Sequence, residues 1–152
     1  MALLVMVLVG CAAQRPNLSL HLFRGAVPPG ADRPLVTLRN DGDHALRGAG
    51  PHGNFFGNLL RREGDRWVLV GGRVGCGTVF PGMPLAPGRA LETQAPDYLG
   101  HRDPIDAPAE YRFVIVVVTD TGSEHAFSID LTGEEILRAQ PEFAEPAPAR
   151  SP

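Results

Sequence analysis

The feature that most constrains the fold is the stretch at residues 111–119, which reads YRFVIVVVT. Aromatic and β-branched side chains fill it almost without interruption, and such side chains favour strands over helices. A strand that is apolar on both faces is typical of the middle of a sheet. We therefore expect a sheet in which this strand has neighbours on both sides.

Shorter segments provide the other strands. Residues 17–24 and 126–131 alternate apolar and polar side chains with the period of a half-buried strand. Residues 63–65 (EGD) separate two strand-like segments, which predicts a β-hairpin. The 18 glycines and 15 prolines suit short strands and many turns better than a helical bundle. About seven strands are predicted, at residues 17–24, 34–39, 54–61, 66–70, 90–94, 111–119 and 124–131.

The two ends of the sequence differ from its β-rich middle. Residues 1–10 (MALLVMVLVG) are apolar but shorter than the about 20 residues that cross a bilayer, which indicates the hydrophobic part of a secretory signal. Residues 134–140 predict a short helix, and residues 141–152 are rich in proline and in small or acidic residues that bury little surface. The predicted organisation is a signal and tether at residues 1–16, one domain at residues 17–133, and a short helix with a flexible tail at residues 134–152.

Residues 8–11 (LVGC) resemble the lipobox of bacterial lipoproteins, in which small residues precede a cysteine. The resemblance implies that Cys11 is acylated and becomes the mature N-terminus, which anchors the protein to a membrane of the bacterial cell envelope. Ala12 follows this cysteine, and by similarity to sorted lipoproteins it favours the outer membrane in a host that has one. A membrane is therefore the first expected partner.

Residues 107–113 (APAEYRF) resemble the penultimate strand of immunoglobulin-like domains, where a tyrosine hydroxyl bonds back to nearby backbone. In that resemblance Tyr111 is a structural tyrosine corner, and Phe113 stands where antibody domains have their second cysteine. The resemblance implies an all-β, immunoglobulin-like β-sandwich of the kind found on bacterial envelope proteins. Glu110, where glycine is common, and the insert at residues 71–84 depart from the pattern. Further similar motifs are VTLRNDG at 36–42, LRREGDRW at 60–67 and LAPG at 85–88.

The common catalytic signatures, such as Gly-x-Ser-x-Gly and His-Glu-x-x-His, do not occur in the sequence. Cys76 lies between two glycines, which leaves open a reactive thiol or a small residue buried at the base of a loop. His52, Cys76, Met83 and His101 supply the ligand types of a copper site, but blue-copper proteins have a histidine between the cysteine and the methionine. We therefore expect a protein that is not an enzyme, with no cofactor and no metal.

The net charge of −3 and the absence of a run of arginines argue against nucleic acid as a partner. Trp67, Phe55 and Phe56 are candidate partner-contact residues, because aromatic side chains dominate interfaces. The alternative is that Trp67 and at least one of these phenylalanines belong to the core. The leading hypothesis is a membrane-anchored envelope lipoprotein whose immunoglobulin-like domain is a non-catalytic binding module for another envelope protein. The alternative function is an immunoglobulin-like protease inhibitor that inserts the loop at residues 71–84 into a protease cleft.

Overall fold

A computed structural model describes residues 15–26, 34–70, 82–94 and 103–145. These residues form two antiparallel sheets and one short α-helix, so the all-β class predicted from the sequence is confirmed. The described strands are β1 Leu18–Leu22, β2 Pro34–Asn40, β3 Arg47–Gly48, β4 Gly57–Glu63, β5 Arg66–Leu69, β6 Ala90–Gln94, β7 Glu110–Val118 and β8 Glu124–Thr132. The helix α1 spans Gly133–Ala139, and 3₁₀ turns lie at Pro51–Gly53 and Pro141–Ala144.

The first sheet contains three strands in the order β1-β2-β6. In its register Leu20 of β1 lies opposite Leu38, and Leu38 also lies opposite Leu91 of β6. Leu18 is buried, and Leu20 and Leu22 pack against the core as their alternation with polar residues predicts. The central strand β2 is the most deeply buried of the three.

The second sheet is built around β7, as the apolar run at residues 111–119 predicts. β8 pairs with β7 over its whole length, from Glu110 opposite Thr132 to Val118 opposite Glu124. β3 and β4 share the other side of β7, and β5 continues the sheet beyond β4. The sequence did not predict β3, because a two-residue strand is too short to show a periodic pattern.

Both sheets contribute to one hydrophobic core. Alternate residues of β7 are buried, and these are Tyr111, Phe113, Ile115 and Val117. They belong to the same cluster of buried side chains as residues of β2, including Leu38. The two sheets are therefore held together by apolar side chains that they share, which is the usual source of stability in a two-layer domain.

Gly57 at the start of β4 lies beneath the ring of Phe113. A Cβ atom at this position would approach ring carbon Cζ of Phe113 to 1.8 Å, far inside van der Waals contact. Phe113 is 0% exposed, and protein cores are close-packed, so its ring cannot shift without disturbing neighbouring side chains. The close approach of β4 and β7 at this point therefore requires glycine.

A capping box fixes the end of β8 to the start of α1. The side-chain oxygen of Thr132 accepts a hydrogen bond from the N–H of Glu135 at 3.2 Å, and the Glu135 carboxylate accepts one from the N–H of Thr132 at 2.9 Å. The N–H of Thr132 lowers the pKa of this carboxyl, because it stabilises the charged form. Ile136 on the inner side of α1 is fully buried, so the short helix belongs to the domain.

The chain after α1 also packs into the core. Phe143 is 1% exposed, and its carbonyl accepts a hydrogen bond from the N–H of Ile105 at 2.7 Å. Gln140 is 3% exposed and donates a hydrogen bond to the carbonyl of Pro34 at the start of β2. The prediction of a flexible tail is therefore wrong for residues 141–145, because the proline-rich composition gives no sign that one aromatic ring reaches the core.

Several predictions concern residues outside the described ranges. They are the signal and lipidated Cys11 at residues 1–14, the loop at residues 71–81 with Cys76, His101, and the end of the tail at residues 146–152. Within the part of the chain that the structure describes, no helix has the length and apolar character needed to cross a membrane.

Candidate functional site

Trp67 lies on the outer face of the five-stranded sheet. It stands on β5 opposite Arg62, and its ring lies beneath the guanidinium of Arg112, whose Cζ is 4.4 Å from the ring centroid. Arg112 alternates along β7 with the buried Tyr111 and Phe113, so it points away from the core. The alternative that Trp67 is a core residue is therefore wrong, and the indole is half-buried by an arginine instead.

Asp130 holds Arg112 in this position. The two residues lie directly opposite each other on β8 and β7, and the guanidinium donates to both carboxylate oxygens, at 2.5 Å and 2.9 Å. This fork-like geometry lowers the pKa of the Asp130 carboxyl and raises the pKa of Arg112, because each charge stabilises the other. The indole, the guanidinium and the carboxylate thus form one preorganised stack.

The charged side chains around this stack are paired with side chains of opposite charge. Arg62 pairs with Glu110 at 2.7 Å, so both arginines beside the indole have an acidic partner. The outer side of the sheet also carries aliphatic side chains, of which Leu69 is 37% exposed, and the polar Asn58 and Ser128 on either side of Val114. We call this surface the Trp67 face, and it consists of Leu60, Trp67, Leu69, Arg112, Val114, Val116 and Asp130.

The other two aromatic residues predicted as partner contacts occupy different positions. Phe55 is half-buried and packs against the hydrophobic core from the segment before β4. Phe56 is also half-buried, and its ring lies against Gly50 within the loop between β3 and β4. The described contacts therefore do not unite these rings with Trp67. Sequence reasoning missed Arg112 and Asp130, because their pairing depends on the register of β7 and β8.

Tyr111 lies on the opposite, inner side of β7 and is 1% exposed. Its hydroxyl oxygen accepts a hydrogen bond of 2.8 Å from the N–H of Asp106, five residues earlier in the chain. Burial raises the pKa of the phenol, although the hydrogen bond from Asp106 acts in the other direction. The side chain is thus a structural link between β7 and the segment that precedes it.

A cleft of about 490 Å³, with both polar and apolar lining, lies where the β2–β3 and β7–β8 turns meet. His44 stands between two carboxylates, with Nδ1 3.6 Å from Asp120 and Nε2 3.7 Å from Asp43. The hydroxyl of Ser123 is 3.4 Å from that of Thr121, and no described hydrogen bond joins it to His44. The described part of the cleft therefore lacks the paired nucleophile and base that acyl transfer requires.

The candidate copper ligands fall partly within the described residues. His52 is exposed and has a positive φ of 59°, and its carbonyl accepts a hydrogen bond from the N–H of Gly82, next to the 84% exposed Met83. Cys76 and His101 lie outside the described residues. Among the residues that are described, no group of three or more His, Cys, Asp or Glu side chains is arranged to hold a metal ion.

Comparison with known proteins identified no relative of this chain. No family model matches the sequence, and neither the curated proteins nor the solved structures include a match. Function must therefore be argued from the site itself.

Proposed function

We propose that this protein is a membrane-anchored, non-catalytic binding module with an immunoglobulin-like fold, and that its contact surface is the Trp67 face. The observation that carries the proposal is the position of Trp67. The only tryptophan of the chain lies half-exposed on a sheet face, held flat by Arg112, rather than in the core. Tryptophan and arginine are the residues most enriched at the centres of protein interfaces.

The strand arrangement supports the immunoglobulin-like part of the proposal. One sheet has the order β1-β2-β6, and in the other β8, β7, β4 and β5 are neighbours. Immunoglobulin-type sandwiches likewise pack a sheet of early strands and one returning strand against a sheet of middle and late strands. The hydrogen bond between Tyr111 and Asp106 has the character of a tyrosine corner.

The paired charges on the Trp67 face indicate which kind of partner surface it would bind. Arg112 is paired with Asp130 and Arg62 with Glu110, so neither arginine offers an uncompensated charge to a phosphate or a carboxylate. The exposed apolar area around the indole favours a neutral, partly apolar protein surface. A rigid indole also loses little conformational entropy when it becomes buried in an interface.

Site-specific crosslinking in the native host tests the binding surface. A photoreactive amino acid at Leu69 is expected to yield a defined protein adduct, and Trp67→Ala is expected to abolish it. The matched control is the same label at Leu91, which is 36% exposed but belongs to the other sheet. An adduct that persists at full yield with Trp67→Ala would place the contact elsewhere.

The anchor is tested by the intact mass of the protein purified from host membranes. We expect a chain that begins at Cys11 and carries added acyl mass, and we expect Cys11→Ser to leave the protein unacylated. Unmodified full-length protein in the soluble fraction would rule out lipid anchoring while leaving the binding surface open to its own test.

A further inference from the structure

The chain just before β1 is fixed to the second sheet by Arg15. Its Nη2 donates a 3.0 Å hydrogen bond to the carbonyl of Ala126, and its guanidinium lies over the ring of Phe127, 4.7 Å from the centroid. The carbonyl of Ala126 faces away from β7, because the opposite residue, Val116, bonds to Ala49 on the far side of β7. Arg15 therefore occupies one backbone carbonyl on the edge of β8 that faces away from β7.

The link between this fixed point and the proposed lipid is short. Cys11 precedes Arg15 by four residues, with Ala12, Ala13 and Gln14 between them. A fully extended chain spans at most about 3.6 Å per residue, so Arg15 can stand no more than about 14 Å from Cys11. A lipid on Cys11 would thus hold the domain close to the bilayer surface.

The position of Arg15 determines which end of the domain a lipid on Cys11 would hold close to the bilayer surface. The backbone of Asn17 bonds to the N–H of Asp41 at 2.9 Å, and Arg15, His44 and Asp120 line the same cleft. We call this region the anchor end, and it consists of the turns at residues 41–44 and 119–123 together with residues 15–17.

The Trp67 stack lies towards the opposite end of the sheet. β7 has nine residues, which at about 3.4 Å per residue span about 30 Å. Arg112 stands near its first residue, whereas the anchor end begins after Val118, six residues later along the strand. The stack is therefore separated from the anchor end by about 20 Å of strand.

We propose that the anchor end of this domain faces the bilayer and contacts the lipid headgroups, while the Trp67 stack is directed away from the membrane. This inference rests on the proposed lipid anchor. The cleft at the anchor end combines apolar surface, including Leu46, with charged side chains, among which Arg15 and His44 lie beside Asp43 and Asp120. Such a mixed surface suits a zwitterionic headgroup layer, and it offers neither an apolar wedge for the acyl region nor a basic patch for anionic lipids.

Energy transfer from tryptophan to dansyl-labelled headgroups tests this orientation. The chain beginning at Cys11, with Cys76→Ser, is joined through Cys11 to a maleimide lipid in phosphatidylcholine vesicles. One form keeps Trp67 as donor, and a second form carries Trp67→Phe with Thr121→Trp, which moves the donor to the anchor end. We expect several-fold more efficient transfer in the second form. Equal transfer, or more transfer from Trp67, would overturn the proposal.

Two controls test whether the short tether and Arg15 cause the orientation. Inserting about twelve flexible Gly and Ser residues after Ala13 is expected to bring the two donors to similar, lower transfer. Arg15→Ala is expected to reduce the difference between the donors, whereas Arg24→Ala, at the far end of β1, is expected to preserve it. A difference that survives both the insertion and Arg15→Ala would contradict the tether argument. Because the lipid is attached chemically, these results do not depend on whether cells acylate Cys11.

Discussion

At the scale of single residues, the ring of Trp67 is covered by an arginine side chain rather than by residues of the hydrophobic core. The indole receives cover from the flat guanidinium of Arg112, which in turn is oriented by two hydrogen bonds to Asp130. A planar guanidinium can stack on a ring and still donate in its own plane, which a lysine ammonium cannot do. The indole nevertheless remains partly exposed.

Removing Arg112 should uncover this indole. We expect Arg112→Ala to increase acrylamide quenching of the single tryptophan and to shift its emission to longer wavelength. Arg138→Ala is the control, because Arg138 pairs with Glu134 on α1 and has no described contact with Trp67. Acidification should act in the same direction: the pKa of Asp130 is lowered by Arg112, so the pair persists above the ordinary carboxyl range and weakens as the pH falls through the lowered pKa. Quenching that is unchanged by Arg112→Ala would contradict the stacked geometry.

Tyr111→Phe should remove one partly buried hydrogen bond without creating a cavity. We expect a loss of about 1–2 kcal/mol in the free energy of unfolding, since the N–H of Asp106 loses its partner. The pKa of Tyr111 is raised by burial, so its contribution is complete below the unfolded pKa of about 10 and is lost as the pH rises towards the folded pKa. The alkaline loss of stability should therefore be smaller in Tyr111→Phe. Urea unfolding at neutral and alkaline pH measures both effects, and Tyr98→Phe, at the other tyrosine, is the comparison.

At the scale of secondary-structure elements, the packing of β4 against β7 and of the C-terminal segment against both sheets defines the limits of the domain. Gly57 allows the two strands to approach because Phe113 fills the space above it. The 3₁₀ turn after α1 inserts Phe143 into the core from the other end of the molecule. Neither contact follows from strand periodicity, and each can be tested separately.

Gly57→Ala should force Phe113 from its position. We expect a cost of about 1–3 kcal/mol, the usual range for overpacking in a filled core. Phe113→Leu in the same chain should relieve part of the clash, so the double variant should lose less stability than the sum of the two single variants. Chemical denaturation of the four proteins gives the coupling free energy. Strict additivity would show that the two side chains do not compete for space.

Phe143 should contribute to stability like any large core residue. Phe143→Ala is expected to cost about 3–5 kcal/mol. A chain that ends after Gln140 should be destabilised to a similar degree, whereas one that ends after Glu145 should unfold at nearly the same denaturant concentration as the full chain. If the chain ending after Gln140 were as stable as the full chain, Phe143 would be dispensable and the domain would end with α1.

At the scale of the whole molecule, the sequence predicted those strands that are specified by a short run of consecutive residues. The apolar run at residues 111–119 became the central strand, and the alternation of Leu18, Leu20 and Leu22 placed β1 correctly. The features that the sequence did not predict depend on contacts between residues that are far apart in the chain. The two residues of β3 have no pattern of their own, and Phe143 lies in a proline-rich segment whose composition is that of a tail.

The candidate site was predictable only in part, for the same reason. Trp67 stands out in the sequence because it is a single large aromatic residue beside a turn. Its contact with Arg112 and the pairing of Arg112 with Asp130 require the registers of four strands, β5, β4, β7 and β8, which no short segment specifies. An aromatic residue near a hairpin turn is equally compatible with a core and with a surface, and the strand register decides between them.

One shared core predicts one cooperative unfolding transition. Trp67 reports on the outer side of the second sheet, whereas far-UV circular dichroism reports on all strands. We expect the urea unfolding curves from the two signals to coincide, because side chains of both sheets belong to a single hydrophobic cluster. An earlier fluorescence transition would indicate that the β4–β5 hairpin separates before the rest of the domain.

Arg15 has a consequence for the behaviour of many copies in solution. An open sheet edge can serve as a template for another chain, and alternate residues of β8, in phase with Ala126, direct their backbone groups away from β7. Glu124 places negative charge near one end of the strand, and Arg15 occupies the carbonyl of Ala126. Proteolysis that removes Arg15 would release the carbonyl of Ala126, so more of the outer edge of β8 could pair with another chain. Arg15 would thus help to prevent edge-to-edge association of β8 strands from different copies.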